Sequence, residues 1–243
     1  TGFFTIRLIA YNNGCADTII KINYIYVLPP VAAFNITPDC SNRLRFTFTD
    51  QSILPLTWDW DFGDATSSTV QNPVHIFPAL GSYNVRLIVT NGGCADTLIQ
   101  VVNAIDEAPD FFADIVTACR VATIPFHATG INTANISNYF WDFGDGSTLN
   151  ATVPDTSHTY INSGTYTITL TITDLNGCTN TRIISNYIRI NGPVAGFNAS
   201  NTTGCSGMTV TFNDLSIPDG VNAITNWQFD FGDGVIQNFS GPP

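Results

Sequence analysis

The chain has 243 residues, 44% of them hydrophobic and only 11% charged, and nineteen acidic against eight basic side chains leave a formal charge of −11. With Lys21 as its single lysine, the surface has little with which to neutralise phosphates, which argues against nucleic acid and against an anionic membrane as partners. No apolar run approaches the ~18 residues of a spanning helix, so direct membrane insertion is not expected.

In chain order, the first elements read as two strands, residues 3–10 and 16–27, joined at Asn12-Asn13-Gly14, a hairpin-type turn. Pro29-Pro30 ends that unit, because proline fixes φ and restricts the residue before it. Strands follow at residues 31–36, at 44–49, where Leu44, Phe46 and Phe48 alternate, and at 57–62. Residues 69–77 cross to another sheet, and residues 83–90 and 96–104 close the unit as a hairpin. After a short acidic linker at 105–110, equivalent strands run to Ile190. A last unit opens at Asn191-Gly192-Pro193, with strands at 194–198, 209–213 and 227–231. No segment reads as a helix of useful length.

One stretch is written three times. It is Trp58-Asp59-Trp60-Asp61-Phe62-Gly63-Asp64, then Tyr139-Phe140-Trp141-Asp142-Phe143-Gly144-Asp145, then Trp227-Gln228-Phe229-Asp230-Phe231-Gly232-Asp233. Asp61, Asp142 and Asp230 lie 81 and then 88 residues apart, the period of a small domain. Alternation places the aromatic residues on one face of a strand and the aspartates on the other, so the aromatics form a core wall. The Gly-Asp that follows supplies a sharp turn. Acid–base work by Asp61 and Asp64 would need a cleft and a second group, and the local sequence indicates neither. Residues 2–9 match residues 81–88 at a constant offset of 79, so both termini are expected to fall inside repeats. The piece at 193–243 lacks its closing hairpin and should be poorly stable in isolation.

The Trp-x-Phe-Gly-Asp strand and turn, the Asn72-Pro73-Val74-His75-Ile76-Phe77 segment, the alternating strand from Gly81 to Val89 and Gly93-Cys94 together resemble the PKD domain, an Ig-like β-sandwich. Residues 108–190 give the same pieces as Trp141 to Gly146, His158-Thr159-Tyr160, Gly164 to Ile172 and Gly177-Cys178. The resemblance implies an all-β chain of tandem Ig-like (PKD) β-sandwiches in an extended head-to-tail array. Its units are the closing strands of a repeat at 1–28, complete repeats at 31–104 and 108–190, and the opening part of a repeat at 193–243. Some collagenase-linked PKD domains bind calcium through an acidic loop before the aromatic strand. The corresponding loop at residues 129–138 has no carboxylate, and hard oxygen ligands are what calcium requires. No cofactor is therefore expected. His75 and His158 occupy equivalent places, one per repeat, and read as structural residues; His127 supports no hypothesis.

Six cysteines fall at two repeat positions: Cys40, Cys119 and Cys205 before the second strand, and Cys15, Cys94 and Cys178 in the final hairpin turn. Disulfides are expected in an exported chain. Pairing within repeats would join Cys40 to Cys94 and Cys119 to Cys178. In an Ig-like sandwich, however, those positions lie at opposite poles, ~20–26 Å apart, whereas a disulfide spans only ~4.4–6.8 Å between Cα atoms. Pairing between successive repeats would join Cys40 to Cys178. The pairing between repeats is the expectation, and the pairing within repeats is the alternative. Thr18 and Thr97, in Asp-Thr-hydrophobic tripeptides, match the O-glycosylation acceptor of exported Bacteroidota proteins.

No nucleophile–histidine spacing, phosphate loop or zinc motif is present, so the segment is expected to be non-enzymatic. The array resembles the repeat region of large Bacteroidota gliding adhesins exported by the type IX system. That resemblance implies a stiff stalk or spacer on the surface of a Gram-negative bacterium. Its partners would be neighbouring repeats, surface polysaccharide or the outer-membrane motility and secretion machinery. The alternative is a set of spacer modules in a secreted polysaccharide- or protein-degrading enzyme.

Overall fold

The computed structural model describes residues 2–243, so Thr1, where the first unit was expected to begin, lies outside the described residues. The chain divides into two compact units, Thr1–Asp106 and Glu107–Pro243. The regular secondary structure of each is almost wholly strand.

In the first unit, β1 (Gly2–Asn12) and β2 (Cys15–Val27) form a two-stranded ribbon. The complete repeat follows as β3 (Phe34–Pro38), β4 (Arg45–Asp50), β5 (Thr57–Asp61), β6 (Ser67–Ser68), β7 (Val74–Ile76), β8 (Gly81–Asn91) and β9 (Cys94–Ala104). One sheet has the order β3-β4-β7 and the other β6-β5-β8-β9, every neighbour antiparallel. Period-2 alternation turns Phe46 and Phe48 of β4 toward Trp60 of β5 and Val85, Leu87 and Val89 of β8, all 0–1% exposed. The first strand starts later than residue 31. Val31 makes only an isolated bridge to Ile53, and Ala32 and Ala33 donate their amides to the Asp96 carboxylate and the Ser52 hydroxyl instead of to a ladder.

The second unit holds β10 (Asp110–Ala113), β11 (Thr117–Cys119), β12 (Ala122–Thr129), β13 (Ile136–Asp142), β14 (Thr148–Ala151), β15 (Asp155–Tyr160), β16 (Gly164–Asp174) and β17 (Thr179–Asn191). Its sheets have the orders β10-β12-β15 and β11-β17-β16-β13-β14. The short β11 runs parallel to β17, an edge pairing that the sequence pattern does not announce. A single 3-10 turn at Thr133–Asn135 is the one helical element among the described residues. The final piece contributes β18 (Phe197–Ala199), β19 (Phe212–Asp214), β20 (Trp227–Asp230) and β21 (Ile236–Phe239), paired β18-β19 and β20-β21.

The aromatic wall is repeated nearly atom for atom. Trp60 and Phe62 lie parallel at 6.5 Å, Trp141 and Phe143 at 6.4 Å, and Phe229 and Phe231 at 5.9 Å. In the complete repeats these rings are covered by the opposite sheet, through Phe48 against Phe62 and Phe126 against Phe143. Dispersion between such rings, together with the large area each hides, stabilises each sandwich. Residues 2–27 and 193–243 contain no buried residue, because neither has the second half of a sandwich against it.

Candidate functional site: the repeated aspartate turn

Each Gly-Asp turn uses its aspartates as backbone acceptors. Gly63 donates its amide to Asp61 (3.0 Å), Gly144 to Asp142 (2.9 Å) and Gly232 to Asp230 (2.9 Å). Three residues further on, Thr66 donates to Asp64, Ser147 to Asp145 and Val235 to Asp233. These are Asx turns, in which a short carboxylate closes the bend that its own strand must make. The motif aspartates thus serve the fold, in keeping with their place beside a core strand.

The second carboxylate oxygen of the turn does something that sequence reasoning missed. His75 Nε2 lies 2.8 Å from Asp64 Oδ2, and His158 Nε2 lies 2.8 Å from Asp145 Oδ2. Each imidazole stacks flat on the motif phenylalanine, Phe62 at 4.0 Å and Phe143 at 4.2 Å, and meets Phe77 or Tyr160 edge-on at 4.7 Å. The pair sits across 11 residues of chain in one repeat and 13 in the other, so no constant spacing signals it. The Asp64 side chain is 3% exposed and that of His75 is 13% exposed. Rings packed on both sides leave no cleft for a reactant, so the arrangement is a polar clasp between the turn and the opposite sheet.

Burial by itself pushes the Asp64 carboxyl up, but hydrogen bonds from Thr66 and His75 outweigh it and hold the group below the usual carboxylate range. Asp145 behaves alike, with burial opposed by His158 and Ser147. A carboxyl whose pKa is lowered by folding stabilises the fold above its unfolded value and loses that contribution as pH falls through the folded value. Stability should therefore hold down to about pH 4 and fall below it. Asp64→Asn and Asp145→Asn should each cost about 1.5–3 kcal/mol at neutral pH and make the acid limb shallower. Denaturant titrations at a series of pH values would show this.

His127 faces Asp114 through one ring nitrogen (3.3 Å) and Asp155 through the other (3.1 Å), with Phe112 stacked on it at 4.8 Å. The carboxylates lie on opposite sides of the ring and do not converge. Among the described residues no three His, Cys, Asp or Glu side chains gather as a metal site.

Cys40 and Cys178 are disulfide-bonded, whereas Cys15, Cys94, Cys119 and Cys205 are free thiols. The within-repeat pattern, Cys40 with Cys94 and Cys119 with Cys178, is thereby corrected. The second repeat supplies the reason. Parallel pairing sets Cys119 opposite Asn191, at the far end of β17 from Cys178, and a 13-residue strand at about 3.3 Å per residue separates those ends by about 40 Å. Local carboxylates shape both bonded positions. Asp39, before Cys40, accepts from Ser41 and Arg45 and is held down at about 2. Asp174, the one buried charged residue among those described, accepts from the amides of Asn176 and Cys178. Thr18 and Thr97 are both exposed, and the neighbouring Asp96 is engaged by the Ala32 amide.

The stacked sheets, the aromatic wall and the aspartate turn with its histidine define tandem Ig-like β-sandwiches. The chain belongs to the PKD domain family, whose sequence profile matches residues 28–104 and 107–189. Among curated proteins it is 25% identical over 174 residues to human polycystin-1, covering 70% of this chain and 4% of that protein. It is 41% identical over 56 residues to collagenase ColA of Bacillus cereus, covering 22% of this chain and 6% of that protein. The chain thus spans a small fraction of the curated relatives it matches. Among solved structures, it is similar to the PKD1 domain of the Vibrio cholerae metalloprotease PrtV, with 28% identity and a TM-score of 0.29. That match covers 31% of this chain and 96% of the solved one. The PKD1 domain of Vibrio anguillarum Epp matches with 25% identity and a TM-score of 0.29, over 31% of this chain and 93% of the other.

Proposed function

We propose that this chain is a non-catalytic, load-bearing stretch of a large exported surface protein, a stiff spacer of the kind found in gliding adhesins of Gram-negative bacteria. The observation that carries this reading is the use to which the repeated motif is put. In both complete repeats the turn aspartates Asp61, Asp64, Asp142 and Asp145, the histidines His75 and His158 and the rings of Trp60, Phe62, Trp141 and Phe143 are engaged in the repeat's own turn and core. A bonded Cys40 and Cys178 also fit an oxidising, extracellular setting.

The cysteine register supports the same role. If the cysteine before the second strand of one repeat joins the hairpin cysteine of the next repeat, residues 1–243 contain one pair that satisfies the rule, Cys40 with Cys178. The other four have no counterpart within this stretch, and these are the free ones. Cys40–Cys178 would tie one repeat covalently to its neighbour. A spacer segment of a secreted degradative enzyme is the second reading, favoured by the likeness to collagenase ColA. Against a polysaccharide-binding platform, Phe112 is the one aromatic ring among the exposed large apolar residues of the complete repeats.

Protease shaving of intact source cells, read with an antibody to these repeats, tests the proposal. Loss of a very large cell-bound band is expected. A smaller band released to the medium and copurifying with hydrolase activity would overturn it in favour of the enzyme spacer.

A further inference from the structure

Four asparagines stand directly before a glycine: Asn13, Asn91, Asn176 and Asn191. Glycine has no Cβ, so its backbone nitrogen is able to approach the side-chain carbonyl carbon of the residue before it. Whether it does so depends on what holds the two groups. In the second complete repeat the Gly177 amide donates to the Asp174 carbonyl oxygen (3.0 Å), and the Asn176 amide donates to the Asp174 carboxylate (2.9 Å). Just beyond that repeat the Gly192 amide donates to Asp219 (3.2 Å), and Asn191 Oδ1 accepts from Arg189 Nε (2.8 Å). The Asp219 side chain is 3% exposed and also accepts the amides of Val221 and Asn222, which fix it in place.

Asn91 is held differently. It ends β8 opposite Cys94, and Gly92 and Gly93 make the turn between them at φ +56° and +98°, the positive values of a two-residue hairpin loop. Among the described residues, neither the Gly92 amide nor the Asn91 side chain has a hydrogen-bond partner. Gly92 is exposed, and nothing lies within 4 Å of the place a Cβ on it would take. Asn13 itself stands at φ +47°, so the like-for-like comparison is among the other three.

We propose that Asn91 is a self-modifying site, which closes on Gly92 and reopens as aspartate or isoaspartate with water as the only co-reactant. The Gly92 nitrogen bonds to Asn91 Cγ and gives its proton to solvent. The bond from Cγ to Nδ2 breaks, and the side-chain nitrogen takes a proton from solvent and leaves as ammonia. Water then adds to one carbonyl carbon of the resulting succinimide. Breaking the bond from Cγ to the Gly92 nitrogen yields aspartate. Breaking the bond from the backbone carbonyl carbon to that nitrogen yields isoaspartate, whose main chain runs through the side chain and is one methylene longer. The two products act differently on the hairpin. Aspartate puts at residue 91 what the second repeat has at residue 174, where the carboxylate takes the amides of Asn176 and Cys178 and shapes the turn of a bonded cysteine. Isoaspartate breaks the register of residue 91 with Cys94, the ladder pair next to the turn.

The test is to incubate the oxidised 243-residue chain at mildly alkaline pH and map its peptides, with isoaspartate scored by a methyltransferase specific for it. Asn91 should convert ahead of Asn176 and Asn191, with isoaspartate among its products and a rate that rises with pH as more of the attacking amide is deprotonated. A hydrogen bond that must be given up before attack should slow Asn176 by about 2–12-fold, and a bond to a charged acceptor should slow Asn191 by about 12-fold or more. In denaturant with the disulfide reduced, where these bonds are gone, the three should convert at similar rates. Asn176 or Asn191 converting as fast as Asn91 in the folded chain would overturn the proposal, as would rates that stay unequal in denaturant. Conversion of Asn91 to aspartate alone would mean direct hydrolysis without the ring and would overturn it too.

Discussion

Trp141→Ala is expected to lose about 3–5 kcal/mol, the range for removing a large aromatic side chain from a close-packed core. Trp141 is 0% exposed on the central strand β13, between β14 and β16, and its ring is hemmed by Phe111 at 5.4 Å, Phe126 at 5.8 Å and Phe143 at 6.4 Å. These neighbours come from both sheets, so no single strand can shift to fill the space. A sandwich of about 80 residues has a net stability of about 4–12 kcal/mol, and the variant repeat should sit near its unfolding midpoint in mild denaturant. Trp60→Ala should do the same to the first complete repeat and leave the second intact. Denaturant melts of both variants, followed by far-ultraviolet circular dichroism, would show a biphasic transition in which one phase moves and the other does not.

Gly144→Ala is expected to cost about 2–4 kcal/mol, and the same change at Gly232 about 1–2. Both glycines turn the chain at positive φ, +77° and +74°, where a side chain is disfavoured by about 1–2 kcal/mol. At Gly144 an added Cβ would also lie 2.4 Å from the Thr167 carbonyl oxygen, a backbone atom that cannot swing aside. At Gly232 nothing lies within 4 Å. Gly63, with the Asn84 carbonyl oxygen 2.7 Å from such a Cβ, should follow Gly144. The invariant glycine of the turn therefore answers to two demands, one local and one set by the neighbouring strand. Comparing the Gly144 variant with the Gly232 variant separates them.

Much of this fold is visible in the sequence because its signal has the period of a strand. Trp60 and Phe62, or Trp141 and Phe143, alternate with aspartates over a span short enough that each residue's face follows from its neighbours. The hairpins at Gly14, Gly93 and Gly177 are equally plain. Features that depend on chain brought from far away are not. The Asp64–His75 clasp joins a turn to the opposite sheet, and a lone histidine before an aromatic carries no mark of its partner. The edge strand β11 is three residues long, too short for any periodicity, and the first strand of the first complete repeat starts late because Asp96 and Ser52 take its early amides. Pairing slips register at Thr5 in β1-β2 and at Thr167 in β16-β17 but is regular throughout β8-β9, and only a bulged register reveals it. Of the cysteines, the sequence showed two positional classes and pointed to Cys40 with Cys178, the within-repeat pairing being the alternative. Free thiols at Cys94 and Cys119 remove the within-repeat pattern.

The mechanical role is tested most directly by pulling single molecules of the oxidised chain from its two ends. On the proposed Cys40–Cys178 tie, residues 41–177 should stay hidden from the force. After a reducing agent is added, two further discrete unfolding steps should appear, one for each complete repeat. Extension of the whole chain before reduction would contradict the covalent tie. Repeats that stretch gradually, without discrete steps, would contradict the load-bearing spacer itself.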